Sequence, residues 1–92
     1  MCVQQLGIGS LQNVLVQHCK HAFGLKLTLA DSRVLVFSGD TQRCQNVIDA
    51  AHGAHLLVHE ATFEAGMEED AAHKKHSTIA DAVDVRSCAT CI

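Results

Sequence analysis

At 92 residues the chain has room for one domain and a small core, and 48% hydrophobic against 18% charged residues excludes an intrinsically disordered composition. A formal net charge of -3 removes the simplest case for a broad nucleic-acid surface, which needs clustered Lys and Arg, so any RNA contact has to be local. There is no run of about 18 apolar residues and no cationic, apolar leader after Met1, so neither a membrane span nor a signal peptide is expected and the chain reads as soluble.

Only three aromatics (Phe23, Phe37, Phe63) are present to fill a core, which suggests a partner or a missing half. Cys2, Cys19, Cys44, Cys88 and Cys91 make an odd count at irregular spacing, which fits a reduced intracellular compartment better than a disulfide framework. Seven histidines are many for this length, and their placement decides what they mean.

In chain order, Gly7-Ile8-Gly9 lacks the third glycine and the preceding strand of a dinucleotide loop and is set aside. Val14-Leu15-Val16 predicts a short strand ending at Gln17-His18. Leu25, Leu27 and Leu29 alternate with Lys26 and Thr28 at the period of a half-buried strand, and Ala30 to Arg33 form a turn. Val34 to Phe37 is a continuous apolar run, as in a strand covered on both faces, and it stops at Ser38-Gly39-Asp40-Thr41.

Cys44, Val47, Ile48 and Ala51 then fall on one face of a helix from Gln42, with Thr41 as its cap and Gly53 as its stop. Leu56-Leu57-Val58 predicts a second buried strand, again ending in polar residues, His59 and Glu60. Glu68-Glu69-Asp70 ahead of Lys74-Lys75 suits a helix with a solvated face, acids first and bases last, followed by His76. Ser77 or Thr78 caps a last helix carrying Ile79, Ala82, Val83 and Arg86, with Asp81 completing a capping box. The predicted order is β, β, β, α, β, α, α.

Ligands in open α/β sheets gather beyond the carboxyl ends of strands, and His18, Asp40 and His59-Glu60 occupy such ends, with His76 in a loop that can lean over the same crevice. Imidazole and carboxylate suit zinc, and one carboxylate can bridge two ions for in-line phosphodiester hydrolysis. Each residue also has a structural reading: Asp40 as turn chemistry, Glu60 as a solvated loop carboxylate, a lone histidine as a hydrogen-bonded surface group. Composition and spacing alone leave the metal site open.

Four stretches in order carry a resemblance: Val16 to Gly24, Val36-Phe37-Ser38-Gly39-Asp40-Thr41, Leu57-Val58-His59-Glu60-Ala61-Thr62-Phe63, and Gly66 to Glu69 through His76-Ser77-Thr78. Together they resemble ribonuclease Z, most of all its long eukaryotic form, a zinc phosphodiesterase of the metallo-β-lactamase superfamily that trims precursor tRNA. The resemblance runs from about residue 14 to 85 and leaves residues 86 to 92 as a divergent tail on one partial domain spanning 1–92.

It implies an α/β fold, a partial metallo-β-lactamase fold that is half of an αββα sandwich, with a mixed sheet and helices on one face. By the same resemblance His18 ligates one zinc, Asp40 bridges two, and His76 and Glu60 are the catalytic pair, His76 facing the scissile phosphate while Glu60 orients its ring. His59 is then a structural partner, and His21 a neighbour of the metal ligand or simply structural. The implied partner is precursor tRNA, the implied location intracellular, in nucleus or mitochondrion.

The family's His-x-His-x-Asp-His signature and its last histidine are absent from this chain, and two ligands cannot close a two-zinc site, so the 92 residues alone are expected to be inactive. Cys88-x-x-Cys91 has half a zinc ribbon's spacing but no second pair, and a chance tail explains it better. Two other functions remain: another phosphodiesterase of the same fold, or a non-catalytic module, homo-oligomeric or paired with a full-length subunit through an unfilled core face.

Overall fold

The computed structural model describes residues 7–64 and 66–89. Strands β1 (Ile8–Leu15), β2 (Phe23–Leu29), β3 (Val34–Phe37) and β4 (Leu56–Val58) form one sheet in that order, with helices α1 (Gln45–Ala51), α2 (Glu68–Lys74) and α3 (Ile79–Ala89). The element order matches the one predicted, and the sheet is mixed: β1, β2 and β3 pair antiparallel, while β3 and β4 pair in parallel across α1. Because β2 alone runs the other way, the carboxyl ends of β1, β3 and β4 lie at one edge, which gathers the loops of residues 16–18, 38–41 and 59–62 there.

Strand alternation divides the sheet's side chains between two faces. Val14, Val34, Val36 and Leu57 meet Val47, Ile48 and Ala51 of α1 in the core, which Val85 and Ala89 of α3 complete. Val36, Val47 and Val85 are fully buried, each contributing about 1.5–3 kcal/mol relative to exposure. The opposite face carries Leu25, Phe37 and Val58 in one cross-strand row and Leu11, Leu27, Leu35 and Leu56 in the next, and none of the helices among the described residues lies over it. Leu11, Leu15, Phe23, Leu25, Leu56 and Val58 are 38% to 60% exposed.

That open face corrects the expectation that β3 and β4 are covered on both sides. Their apolar runs suit two packed layers, but the described residues supply helices for one face only, so β4 has an exposed–intermediate–exposed pattern. Three further details differ from the prediction. The first strand begins at Ile8, six residues before Val14, because its pairing with β2 extends through polar positions that a hydrophobic pattern does not mark. Helix α1 starts at Gln45 with Cys44 as its N-cap and no side-chain cap, because the Thr41 hydroxyl is engaged elsewhere.

On α3 the buried residues are Val85 and Ala89, while Ile79 and Val83 are exposed, because the packing of α3 against α1 covers only one side of the helix. The capping box is as predicted: Thr78 N–H donates to Asp81 Oδ2 at 3.0 Å and Asp81 N–H to Thr78 Oγ1 at 3.1 Å. Helix α2 has Glu68, Glu69 and Asp70 in its first turn and His73 and Lys74 in its last. Among the described residues no helix is long and apolar enough to cross a membrane.

Candidate active site

The Asp40 loop leaves β3 through Ser38 and Gly39, whose φ of +60° is a conformation that favours glycine. A Cβ on Gly24 of the neighbouring strand would lie 2.5 Å from Phe37 O and 2.9 Å from Ser38 O, so only glycine lets β2 pass this close to the start of the loop. The Glu60 loop leaves β4 alongside it, tied by Glu60 N–H to Ser38 Oγ at 2.9 Å. The His76 loop follows α2, which ends on Lys75 in the left-handed region (φ 58°) with its N–H shared between the Ala71 and Ala72 carbonyls. A short parallel bridge, Phe63 N–H to Ser77 O at 3.2 Å and Ile79 N–H to Phe63 O at 2.9 Å, brings this loop beside Glu60.

Glu60 is the most heavily bonded side chain of the site. Its Oε1 accepts from His76 Nδ1 at 2.6 Å and Thr41 N–H at 2.8 Å, and its Oε2 from Thr62 Oγ1 at 2.8 Å, Ser77 N–H at 3.1 Å and Thr62 N–H at 3.2 Å. Burial pushes its carboxyl upward, but the bonds from His76, Thr41, Thr62 and Ser77 outweigh it and hold it at about 2. An ionised Glu60 fixes the tautomer of His76, since Nδ1 must carry the proton it donates, and leaves Nε2 for other chemistry.

Asp40, Glu60 and His76 each place a possible ligand atom within 4.8 Å of the others. Glu60 nevertheless fits an orienting role better than a metal-ligating one, because five hydrogen bonds already occupy its lone pairs. Asp40 is exposed, and none of the described residues donates a hydrogen bond to its carboxylate. His18 stands outside that trio, with its ring 4.8 Å from the His76 ring. Its Nδ1 lies 2.7 Å from Lys75 O, and since a carbonyl only accepts, the proton sits on Nδ1 and Nε2 keeps its lone pair. A histidine oriented by a backbone carbonyl and an unencumbered carboxylate are the donor types that zinc takes, so these residues fit the metal.

The structure therefore brings Asp40, Glu60 and His76 together and sets His18 against His76. His59 donates from Nδ1 to Glu60 O at 2.7 Å, while its Nε2 is buried without a partner among the described residues. His21 is exposed in the left-handed region. Cys88 lies 3.6 Å from Arg43 Nη2; its sequence companion Cys91, like Cys2, lies outside the described residues. A cleft of about 350 Å³ opens at the strand ends, walled by Phe37, Asp40, Val58, His59 and Glu60.

Sequence reasoning missed the buried hydroxyls that hold these loops: Ser38, Thr41 and Ser77, each at most 1% exposed, and the more exposed Thr62. The available signal was a small hydroxyl residue within two positions of Asp40, Glu60 and His76.

A mixed sheet with helices on one face and polar strand ends is a known arrangement. The metallo-β-lactamase fold protein YhfI from Bacillus subtilis superposes over 88% of this chain and 32% of its own length with a TM-score of 0.78, at 20% identity. The chain thus carries part of a metallo-β-lactamase fold. A long-form RNase Z from yeast superposes over 96% of the chain and 13% of its own length, with a TM-score of 0.86 and 29% identity.

In sequence, the chain is 43% identical to the mitochondrial ribonuclease Z of Drosophila melanogaster over 86 residues, 88% of this chain. It is 47% identical to the human zinc phosphodiesterase ELAC protein 2 over 74 residues, 80% of this chain. Over most of its length the chain is homologous to a segment of ribonuclease Z proteins. It spans 11% and 9% of the length of those two relatives. No family model matches it.

Proposed function

We propose that this chain is the proton-delivering segment of a zinc-dependent endoribonuclease that removes the 3′ trailer from precursor tRNA by phosphodiester hydrolysis. In this reading His76 and Glu60 are the catalytic pair and His18 and Asp40 are metal ligands. The observation that carries the proposal is the 2.6 Å contact of His76 Nδ1 with Glu60 Oε1, within 4.8 Å of Asp40, in a chain 47% identical to a zinc phosphodiesterase. Zinc, two ions in a complete site, supplies when bound a Lewis acid and an activated water.

The chain's own residues do the rest. Glu60 stays ionised and holds His76 by its Nδ1–H, which leaves Nε2 as the atom that delivers a proton. The proton that the imidazolium carries on Nε2 then passes to the leaving oxygen. Asp40 and His18 are two ligands where two zinc ions need more, so the 92 residues by themselves neither hold two ions tightly nor cut RNA. The partial domain covers 1–92, with residues 86–92 as a divergent extension. The relatives from Drosophila melanogaster and Arabidopsis thaliana are named mitochondrial, which supports a mitochondrial location, with the nucleus as a second compartment.

The test is a graft. Residues 14–85 replace the matching segment of the human relative, and the purified graft is assayed on precursor tRNA. Retained cleavage that falls on the order of 10²–10⁴-fold with His76→Ala is expected. A folded, zinc-loaded graft that does not cleave, or robust zinc-dependent cleavage by the 92 residues alone that is abolished by Asp40→Ala, overturns the reading.

One observation favours a second role alongside it. The uncovered sheet face of Leu11, Leu25, Phe37, Leu56 and Val58 is an apolar layer of the kind monomers rarely expose. Its proposed occupant is the complementary part of a metallo-β-lactamase domain on a full-length subunit, because the chain covers only 32% of the YhfI chain that shares its fold. Light scattering of the chain alone and mixed with the human relative distinguishes this from self-pairing: a mixed complex supports it, and a homodimer indifferent to the relative refutes it.

A further inference from the structure

We propose that Thr41 is a positioning residue that locks the loops of His18, Asp40, Glu60 and His76 into one arrangement; the inference rests on the assignment of those four residues to one site. Thr41 is fully buried, and each of its three polar groups reaches a different loop. Its hydroxyl oxygen accepts Gln17 N–H at 3.1 Å, one residue before His18. Its own N–H donates to Glu60 Oε1 at 2.8 Å. Its carbonyl accepts Ser77 Oγ–H at 2.6 Å, one residue after His76. Thr41 itself follows Asp40.

The Gln17 connection is double, because Gln42 N–H donates back to Gln17 O at 2.9 Å. The Thr41 hydroxyl is fully used: its proton goes to Gln42 O at 2.7 Å and its oxygen to Gln17. It also lies 3.7 Å from Cys44 Sγ, but it caps no amide of α1, whose N-cap is Cys44 with no side-chain cap. A residue that only terminated a turn or capped a helix would bond within its own loop. Here the bonds cross 24, 19 and 36 positions of sequence and end each time at a site residue or its immediate neighbour. Rigid support of this kind is what a site needs when misplacement by about 1 Å weakens it.

The test compares Thr41→Val, which keeps the shape and removes the hydroxyl, with Thr41→Ser, which keeps the hydroxyl, and Ser77→Ala, which cuts only the strut to the His76 loop. All are made in the full 92-residue chain. Two quantities are read: the NMR cross-relaxation between the His18 and His76 rings, and cobalt(II) affinity from its d–d absorption. With both hydroxyl hydrogen bonds lost and Gln17 N–H left unpaired, Thr41→Val is expected to weaken the ring contact and lower cobalt affinity about tenfold. Thr41→Ser is expected to retain both within about twofold, and Ser77→Ala to weaken the ring contact from the other side while the Gln17 and Gln42 amides stay protected.

An unchanged ring contact in Thr41→Val overturns the proposal, and so does a Thr41→Ser variant as impaired as Thr41→Val, since packing and not the hydroxyl would then be responsible. If Thr41→Val does not fold, Ser77→Ala decides: an undisturbed ring contact and cobalt affinity refute the lock. His18→Ala and Asp40→Ala separate the two readings. If neither lowers cobalt affinity, the metal assignment fails, while loss of the ring contact in Thr41→Val still supports the lock.

Discussion

Replacing Glu60 by glutamine removes one charge and turns one acceptor atom into a donor among five donors. With the amide nitrogen at the Oε1 position, Thr41 N–H and His76 Nδ1–H meet a donor; with it at Oε2, Thr62 N–H and Ser77 N–H do. Peptide N–H groups cannot turn away, so either orientation leaves at least one unpaired. Hydrogen bonds to an ionised acceptor are worth about 1.5–3 kcal/mol each, so losing the better part of two costs roughly 3 kcal/mol.

The depressed carboxyl gives a second route to the magnitude. A fall from 4.5 to about 2 corresponds to roughly 3 kcal/mol, reduced to about 2 by solvent screening of a side chain that is 11% exposed. Because the folded state holds the carboxyl below its unfolded value, this stability is complete above about pH 4.5 and is lost as pH falls toward 2. Urea unfolding of both proteins from pH 7 to pH 2.5 should show Glu60→Gln less stable by about 2–3 kcal/mol at neutrality, with the gap closing in acid. The difference between the two curves isolates Glu60 from the other carboxylates. A gap below about 0.5 kcal/mol at pH 7, or one that stays constant down to pH 2.5, would refute the reasoning.

Gly24→Ala places a Cβ against backbone that cannot yield, and a loss of about 3 kcal/mol, a melting temperature lower by more than about 10 °C, is expected from calorimetry. Asp81→Ala removes half of the α3 capping box and should cost about 1 kcal/mol, or about 4–8 °C, in the same measurement. Leu25→Lys combined with Val58→Lys puts two charges in one row of the open sheet face and should abolish binding of a hydrophobic dye and any association seen by light scattering, with the helical circular dichroism unchanged.

Much of this architecture was legible in the residues. Val34 to Phe37 and Leu56 to Val58 are strands at the predicted bounds, the apolar positions Val47, Ile48 and Ala51 are the buried face of α1 with Cys44 buried at its N-cap, and Thr78 with Asp81 forms the expected box. Local chemistry decides such features, and a periodic pattern or a short capping motif records it. The face that α3 buries was not legible, because Ile79 and Val83 are as apolar as Val85 and only the position of α1 selects among them.

The site divides along the same line. By itself the sequence determined which residue types stand at the strand ends, His18, Asp40, His59 and Glu60, with His76 after α2, since apolar runs fix where strands stop. Only the tertiary structure decided what they do to one another: that Glu60 gathers five donors, that His76 Nδ1 points to it, and that Thr41 is a junction of loops and not a helix cap. Apart from the two from Thr62, those bonds join residues 16 to 36 positions apart, and a hydrogen bond across such a span depends on where folding leaves two loops, which no local pattern encodes.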